Sequence, residues 1–159
     1  MKMESQKLNF SIKELKSYSK EGKLAEWVFA FLDGPGINKP MADGLKLRKE
    51  EGYHSWIGPI NFPLQELTRC TGPEKDAEYS ESLKKWNTRV DSMAQEIKTG
   101  WEAPALIVNP RPWPTLSIRD GNHRYEALIR SGKKKYYTIF WFDTPKDRQK
   151  FFRKYKEII

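Results

Sequence analysis

The residues best equipped for chemistry stand together in one run, Asp120-Gly121-Asn122-His123-Arg124, which joins a carboxylate, an amide, an imidazole and a guanidinium around a glycine. Leu116 and Ile118 alternate as a short strand before the run. Tyr125, Leu128 and Ile129 share one helical face after it, as far as Ser131-Gly132. Asp120 or Asn122 is the expected N-cap, and Gly132 the left-handed residue that ends the helix. His123 and Arg124 then fall in the first turn, where the positive end of the macrodipole disfavours a cation by about 0.3–1 kcal/mol each. A bound anion reverses that sign, because free backbone N–H groups and an arginine fork converge on it, and phosphate suits such a site best. On this reading Arg124→Gln relieves up to about 1 kcal/mol in the ligand-free protein. The spacing leaves a second reading open, in which Arg124 pairs with Asp120 or Glu126 on a solvated helix end.

The elements that must position this run follow from pattern and punctuation. Ala105–Asn109 and Thr115–Arg119 read as strands separated by the proline-rich stretch Pro110-Arg111-Pro112-Trp113-Pro114. A helix over Asn122–Ser131 leads to a strand over Tyr136–Phe142, and Thr144-Pro145-Lys146-Asp147 starts a terminal helix through about Tyr155. That helix carries Phe151, Phe152, Tyr155 and Ile159 among five basic residues, and docking on the core is its default role. Upstream, Ser11-Ile12-Lys13-Glu14 has the form of a capping box. Leu24, Trp27, Val28, Phe31 and Leu32 recur at helical spacing until Asp33-Gly34-Pro35-Gly36, so a packed helix is expected there. Residues 37–58 show too little periodicity to assign, with Tyr53-His54-Ser55-Trp56 read as a loop against the core. Ile57–Phe62 reads as a strand. Thr71-Gly72-Pro73-Glu74 offers a second capping box, and Trp86, Val90, Met93, Ala94 and Ile97 form one face, which predicts a long helix between Glu74 and Thr99 closed by Gly100. Glu66 reads either as a second acid near the site or as an exposed helix-start residue. Strands and helices are mixed rather than strictly alternating, so the expected class is α+β, a small mixed β-sheet flanked by helices. Residues 1–56 form a helical N-terminal extension packed on the core and 57–159 the core with its C-terminal helix, one compact domain overall.

Composition narrows the function classes. Of the net charge of +8, almost all lies in residues 101–159, which hold 13 Lys/Arg against 6 Asp/Glu, whereas residues 1–100 hold 16 against 15. A basic half beside the candidate site favours an anionic partner, either a nucleotide or a nucleic-acid backbone. The single Cys70 excludes an internal disulfide and has no metal-ligand spacing around it, so it reads as a small buried hydrophobe. Met1–Asn9 contains no apolar run, so no signal peptide or membrane span is expected, and the expected compartment is cytoplasmic. The chain has no Walker-type loop, no dinucleotide fingerprint, no zinc pattern and no Gly-x-Ser-x-Gly turn, and its two histidines exclude a histidine-based metal cluster.

Ser117-Ile118-Arg119-Asp120-Gly121-Asn122-His123-Arg124-Tyr125-Glu126-Ala127-Leu128, with Gly132 after it and Pro104–Val108 before it, resembles the nucleotide-binding core of the ParB/sulfiredoxin superfamily. The resemblance runs roughly from Ile57 to Asp143 and is strongest over its last third. Sulfiredoxins place a nucleophilic cysteine where Asn122 stands, so sulfinic-acid repair is not expected. Partition-type ParB proteins carry Gly-Glu-Arg-Arg at this turn and a helix-turn-helix domain for which 159 residues leave no room. What remains is the stand-alone branch with an Asp-Gly-x-His-Arg signature, which includes a free-serine kinase.

The resemblance implies an enzyme that uses ATP or another nucleoside triphosphate with Mg²⁺, either a phosphotransferase acting on a small hydroxyl acceptor or a nucleotide hydrolase. Gly121, Asn122, His123 and Arg124 would bind the phosphates, Arg124 bidentately, and His123 would donate to phosphate or the leaving oxygen. Asp120 would hold Mg²⁺ or orient the acceptor hydroxyl. The alternative of a different class is a ParB-like nucleotide-gated DNA-binding or nuclease module. A third is an interaction module that kept the fold and binds no nucleotide.

Overall fold

The structure, a computed structural model, describes residues 8–51 and 55–159. In chain order these form helices α1 (Ile12–Lys20), α2 (Leu24–Asp33) and α3 (Lys39–Glu51), strand β1 (Ser55–Pro63) and a 3-10 turn at Leu64–Glu66. Short strands β2 (Thr68–Arg69), β3 (Thr71–Gly72) and β4 (Tyr79–Ser80) precede helix α4 (Leu83–Lys98). Strands β5 (Leu106–Asn109) and β6 (Ser117–Asp120), helix α5 (Asn122–Arg130), strand β7 (Lys135–Phe142) and helix α6 (Pro145–Tyr155) complete the chain.

Five strands make a mixed sheet in the order β1-β7-β5-β6-β2, and β3 and β4 form a separate two-stranded pair. β7 runs antiparallel to β1 and parallel to β5. β6 runs antiparallel to β5 and parallel to β2. Side chains on a strand point alternately to the two faces, so β7 and β5 sort the molecule into layers. Phe140, Phe142, Leu106 and Val108 join Tyr125 and Leu128 of α5 and Phe151 and Tyr155 of α6 on one face. Ile139, Trp141, Ala105 and Ile107 join α1 to α3 on the other, through Leu15, Trp27, Val28, Phe31, Ala42 and Leu45. α4 then packs beside α5 through Trp86, Val90, Ala94 and Ala127. This is the α+β class, a mixed sheet with helices on both faces.

Several local expectations change. The stretch from Ser11 to Leu32 is two helices. α1 ends where Gly22, at φ +74°, lets Gly22 N–H and Lys23 N–H turn back to the carbonyls of Ser19 and Tyr18. α3 escapes a reading of periodicity because, among its described side chains, those buried are Ala42 and Leu45, and Gly44 lies inside it. The helix expected from Glu74 starts eight residues later, at Ser82, whose Oγ accepts from Lys85 N–H. Glu74 is bound instead through both carboxylate oxygens by the Arg69 guanidinium at 3.1 and 2.9 Å, which holds this segment as a loop. Ile129, read on the buried face of α5, is 41% exposed. Gly132 has the expected left-handed φ of +90°. Glu66 faces Tyr155. Tyr53 and His54 lie outside the described residues, as do residues 1–7 of the N-terminal stretch. No described helix is long and apolar enough to cross a membrane.

The buried phenols give the fold an alkaline limit. Tyr136 donates its hydroxyl to the Ala103 carbonyl, and burial pushes its phenol up to about 12, with Tyr125 and Tyr155 raised by the same cause. A folded-state value above the unfolded one makes the contribution complete below pH 10 and lost as pH rises toward 12. Stability should therefore fall across that window by at most about 1.4 kcal/mol per pH unit per phenol. Urea titrations at stepped alkaline pH check this: Tyr136→Phe should show a shallower decline than the parent, and an equal slope would show that Tyr136 is not the group responsible.

Candidate functional site

The strand-turn-helix expected at Asp120–Arg124 is formed by β6 and α5, and its turn depends on glycine. Gly121 occupies the N-cap position at φ +103°, and a Cβ there would lie 2.8 Å from both Arg124 Nη2 and Leu106 Cδ2. Neither Asp120 nor Asn122 caps α5, and among the described residues no side chain bonds its first-turn N–H groups. Asn122 turns back instead: its Oδ1 accepts from the N–H groups of Cys70 and Thr71 at 2.8 and 3.2 Å, and its Nδ2 donates to the Ile118 carbonyl. Cys70 is buried as expected, with Sγ donating to that same carbonyl. Asn122 thus ties the start of α5 to β2 and β3 and offers no side-chain group for a ligand.

Arg124 is also turned inward. It is 8% exposed, with Nε donating to the Pro104 carbonyl and Nη2 to the Ala105 carbonyl and Asp120 Oδ2, at 3.2, 3.0 and 3.3 Å. The Phe31 ring lies 5.2 Å from the guanidinium carbon. Of the alternatives for this residue, pairing with Asp120 is the one formed, and it is formed inside the protein rather than on a solvated helix end. Glu126 pairs with Arg69 and Arg130. The expected dipole penalty on Arg124 is thereby offset by one carboxylate and two carbonyls. Asp120 is equally committed, since Oδ1 accepts from Asn38 Nδ2 at 2.9 Å and Oδ2 from Arg124. Each oxygen thus accepts one bond from a protein donor, and the described residues contain no group of three or more His, Cys, Asp or Glu that could hold a metal ion around it. Asp120 in this arrangement joins Asn38 to Arg124.

His123 stands differently. Its Nε2 meets Glu81 Oε1 at 2.9 Å, and its ring centroid lies 4.7 Å from that of Trp86. Glu81 follows β4 in the loop three of whose acids are held by basic side chains, Glu74 by Arg69, Glu78 by Arg119 and Glu81 by His123. Arg69 and Arg119 in turn hold Glu74 and Glu78 below the usual carboxylate value of 4.5, mainly through direct hydrogen bonds.

The turn opens on a chamber of about 410 Å³ lined by Asp120–Arg124, Thr71, Arg119, the Pro35–Asn38 loop, and Arg89 and Met93 of α4. Arg89 is exposed and has no ion-pair partner among the described residues, so with the positive end of α5 it supplies the chamber's uncompensated charge. Asn38, Thr71 and Arg119 also line a larger neighbouring chamber of about 800 Å³ between α3, β7 and the segment after β5, so the two adjoin. Sequence reasoning missed Arg89, Glu81, Asn38 and Asn109. Arg89 looks like any other charge on the solvated face of α4. Asn109 left the one legible signal, a polar residue closing the apolar run Ala105–Val108.

Compared with protein-family models, curated proteins and solved structures, the chain matches none.

Proposed function

We propose that this protein is a nucleotide-binding enzyme of the phosphotransferase or nucleotide-hydrolase type, with its phosphate site at the N-terminus of α5. The observation that carries this reading is the convergence of uncapped first-turn N–H groups, His123 and the unpaired Arg89 on one chamber. Amide donors, an imidazole and a guanidinium without an ion-pair partner among the described residues are a donor set that suits phosphate. The resemblance of Ser117–Leu128 to the ParB/sulfiredoxin superfamily, and the specific fold it implies, belong to the same proposal. In this assignment ATP or another nucleoside triphosphate lays its phosphates on α5. His123, oriented by Glu81 and Trp86, donates from Nδ1 to a phosphate or leaving oxygen. Arg124 braces the turn, with Nη1 as its one guanidinium nitrogen lacking a partner among the described residues.

The test is a thermal-shift and calorimetric series with tripolyphosphate and ATP. Ligand at a hundredfold over its dissociation constant should add about 2.7 kcal/mol, a rise of roughly 5–10 °C in melting temperature. Arg89→Ala removes an exposed side chain, so ligand-free stability should change by less than about 0.5 kcal/mol while phosphate affinity falls about 10- to 100-fold. No shift with either ligand, or an affinity indifferent to Arg89→Ala, would overturn the proposal. The excess of basic residues in the C-terminal half, including the exposed Lys133-Lys134-Lys135 run, favours a second reading as a ParB-like DNA-binding or nuclease module. It requires submicromolar duplex affinity that falls steeply with salt.

A further inference from the structure

The phosphate end leaves the larger chamber without a role, and its chemistry differs in kind. Met41, Leu45, Pro112 and Trp141 give it apolar walls, and about 800 Å³ is within the range of small-molecule sites. Both cations that line it are compensated, Arg111 by Asp143 at 3.4 Å and Arg119 by Glu78 at 2.9 Å. An electrically balanced space with both apolar and polar walls beside a cationic one suits the two ends of a single ligand whose charge is all at one end.

Asn109 adds direction. It is 7% exposed and lines the chamber, and its Nδ2 donates to the Trp141 carbonyl at 3.0 Å and to Asp143 Oδ2 at 3.5 Å. A carbonyl oxygen takes only donors, which fixes the amide's orientation and leaves Oδ1 without a partner among the described residues. Asn38 repeats the pattern at the junction of the two chambers: its Nδ2 is given to Asp120 Oδ1, and its Oδ1 has no partner among the described residues. Both oxygens open on the chamber, so a ligand that covers one of them without an N–H to offer leaves it unpaired at a cost, and a ligand N–H that meets it removes the cost.

We infer that the larger chamber takes the heterocycle of the bound nucleotide and that Asn109 Oδ1 selects bases carrying an exocyclic amino group over their oxo counterparts. The inference rests on the phosphate reading above. An amino group completes the Asn109 acceptor, whereas an oxo group in the same place sets oxygen against oxygen. Sites built around a buried polar group reject ligands that leave it unpaired.

The experiment is calorimetry at one ionic strength with tripolyphosphate, ATP, ITP, CTP and UTP, on the parent protein and Asn109→Leu. The parent should bind ATP over ITP, and CTP over UTP, by roughly tenfold or more. Asn109→Leu should bring both ratios close to one while binding tripolyphosphate like the parent, which also shows that the variant is folded. Should that variant fail to fold, the two ratios in the parent decide alone. If tripolyphosphate binds and amino and oxo nucleotides bind alike, or if the preference survives Asn109→Leu, the base assignment is overturned and the phosphate site stands. If tripolyphosphate does not bind, the phosphate reading falls and this inference with it.

Discussion

Replacing Asp120 with Ala is expected to lower stability by about 3–5 kcal/mol, a loss of roughly 6–20 °C in melting temperature. The side chains of Asp120 and Arg124 are each about 10% exposed. Removing the carboxylate strands a buried guanidinium that keeps only the Pro104 and Ala105 carbonyls, and it takes from Asn38 the acceptor of its Nδ2. Breaking one side of a buried pair costs more than the pair contributes, because the remaining charge stays desolvated. Asp120→Asn, which keeps an acceptor oxygen, should lose less. Glu126→Ala is the control: its bonds to Arg69 and Arg130 at 3.5 and 3.4 Å are half-exposed pairs worth under about 1 kcal/mol. The same geometry reverses the sign of the sequence-based expectation for Arg124→Gln, which should destabilise the ligand-free protein, since the residue it removes is engaged by Asp120 and two carbonyls rather than left against a bare dipole. Urea unfolding of the four variants decides the matter, and an Asp120→Ala protein that melts within about 2 °C of the parent would remove Asp120 from its structural role.

Phe151→Ala should cost a similar 3–5 kcal/mol. Phe151 is fully buried, with ring centroids of Phe140 at 4.6 Å, Tyr155 at 5.0 Å, Phe142 at 5.4 Å and Phe62 at 6.0 Å. These neighbours come from β1, β7 and α6 itself, so the deleted ring leaves a void walled by a sheet that cannot collapse into it. The result separates two uses of α6. A helix docked by Phe151 and Tyr155 loses the full amount, whereas a helix held out for nucleic acid would lose under about 1 kcal/mol. Arg153 and Lys154 are exposed, and Arg153→Ala should leave the melting temperature within about 2 °C of the parent.

The legible parts of this protein are those whose information is local. β7 and β5 alternate, Thr144 accepts from Asp147 N–H at the start of α6, and Gly132 and Lys133 return their N–H groups to Ile129 and Leu128 at the end of α5. Each of these is decided within a few residues. α3 and the 73–81 loop were illegible for the opposite reason. Among its described residues α3 packs on α2 through Ala42 and Leu45, and the loop is held by arginines from β2 and β6 that override the helical spacing of its glutamates.

The sequence by itself determined the α+β class, the strand-turn-helix at Asp120–Arg124 and the glycine on which that turn depends, because alternation, capping and positive φ are properties of neighbouring residues. Only the tertiary structure decided where the side chains of that run point. Asn38 reaches Asp120 across 82 positions, Asn122 reaches Cys70 across 52 and Arg124 reaches Pro104 across 20, and no pattern along the chain encodes those meetings. They turned the residues with the most conspicuous chemistry into the frame of the turn. Arg89 and His123 face the chamber at that turn and Asn109 the neighbouring one, while the buried polar groups of the run are satisfied by whichever partners the fold brings within hydrogen-bond distance.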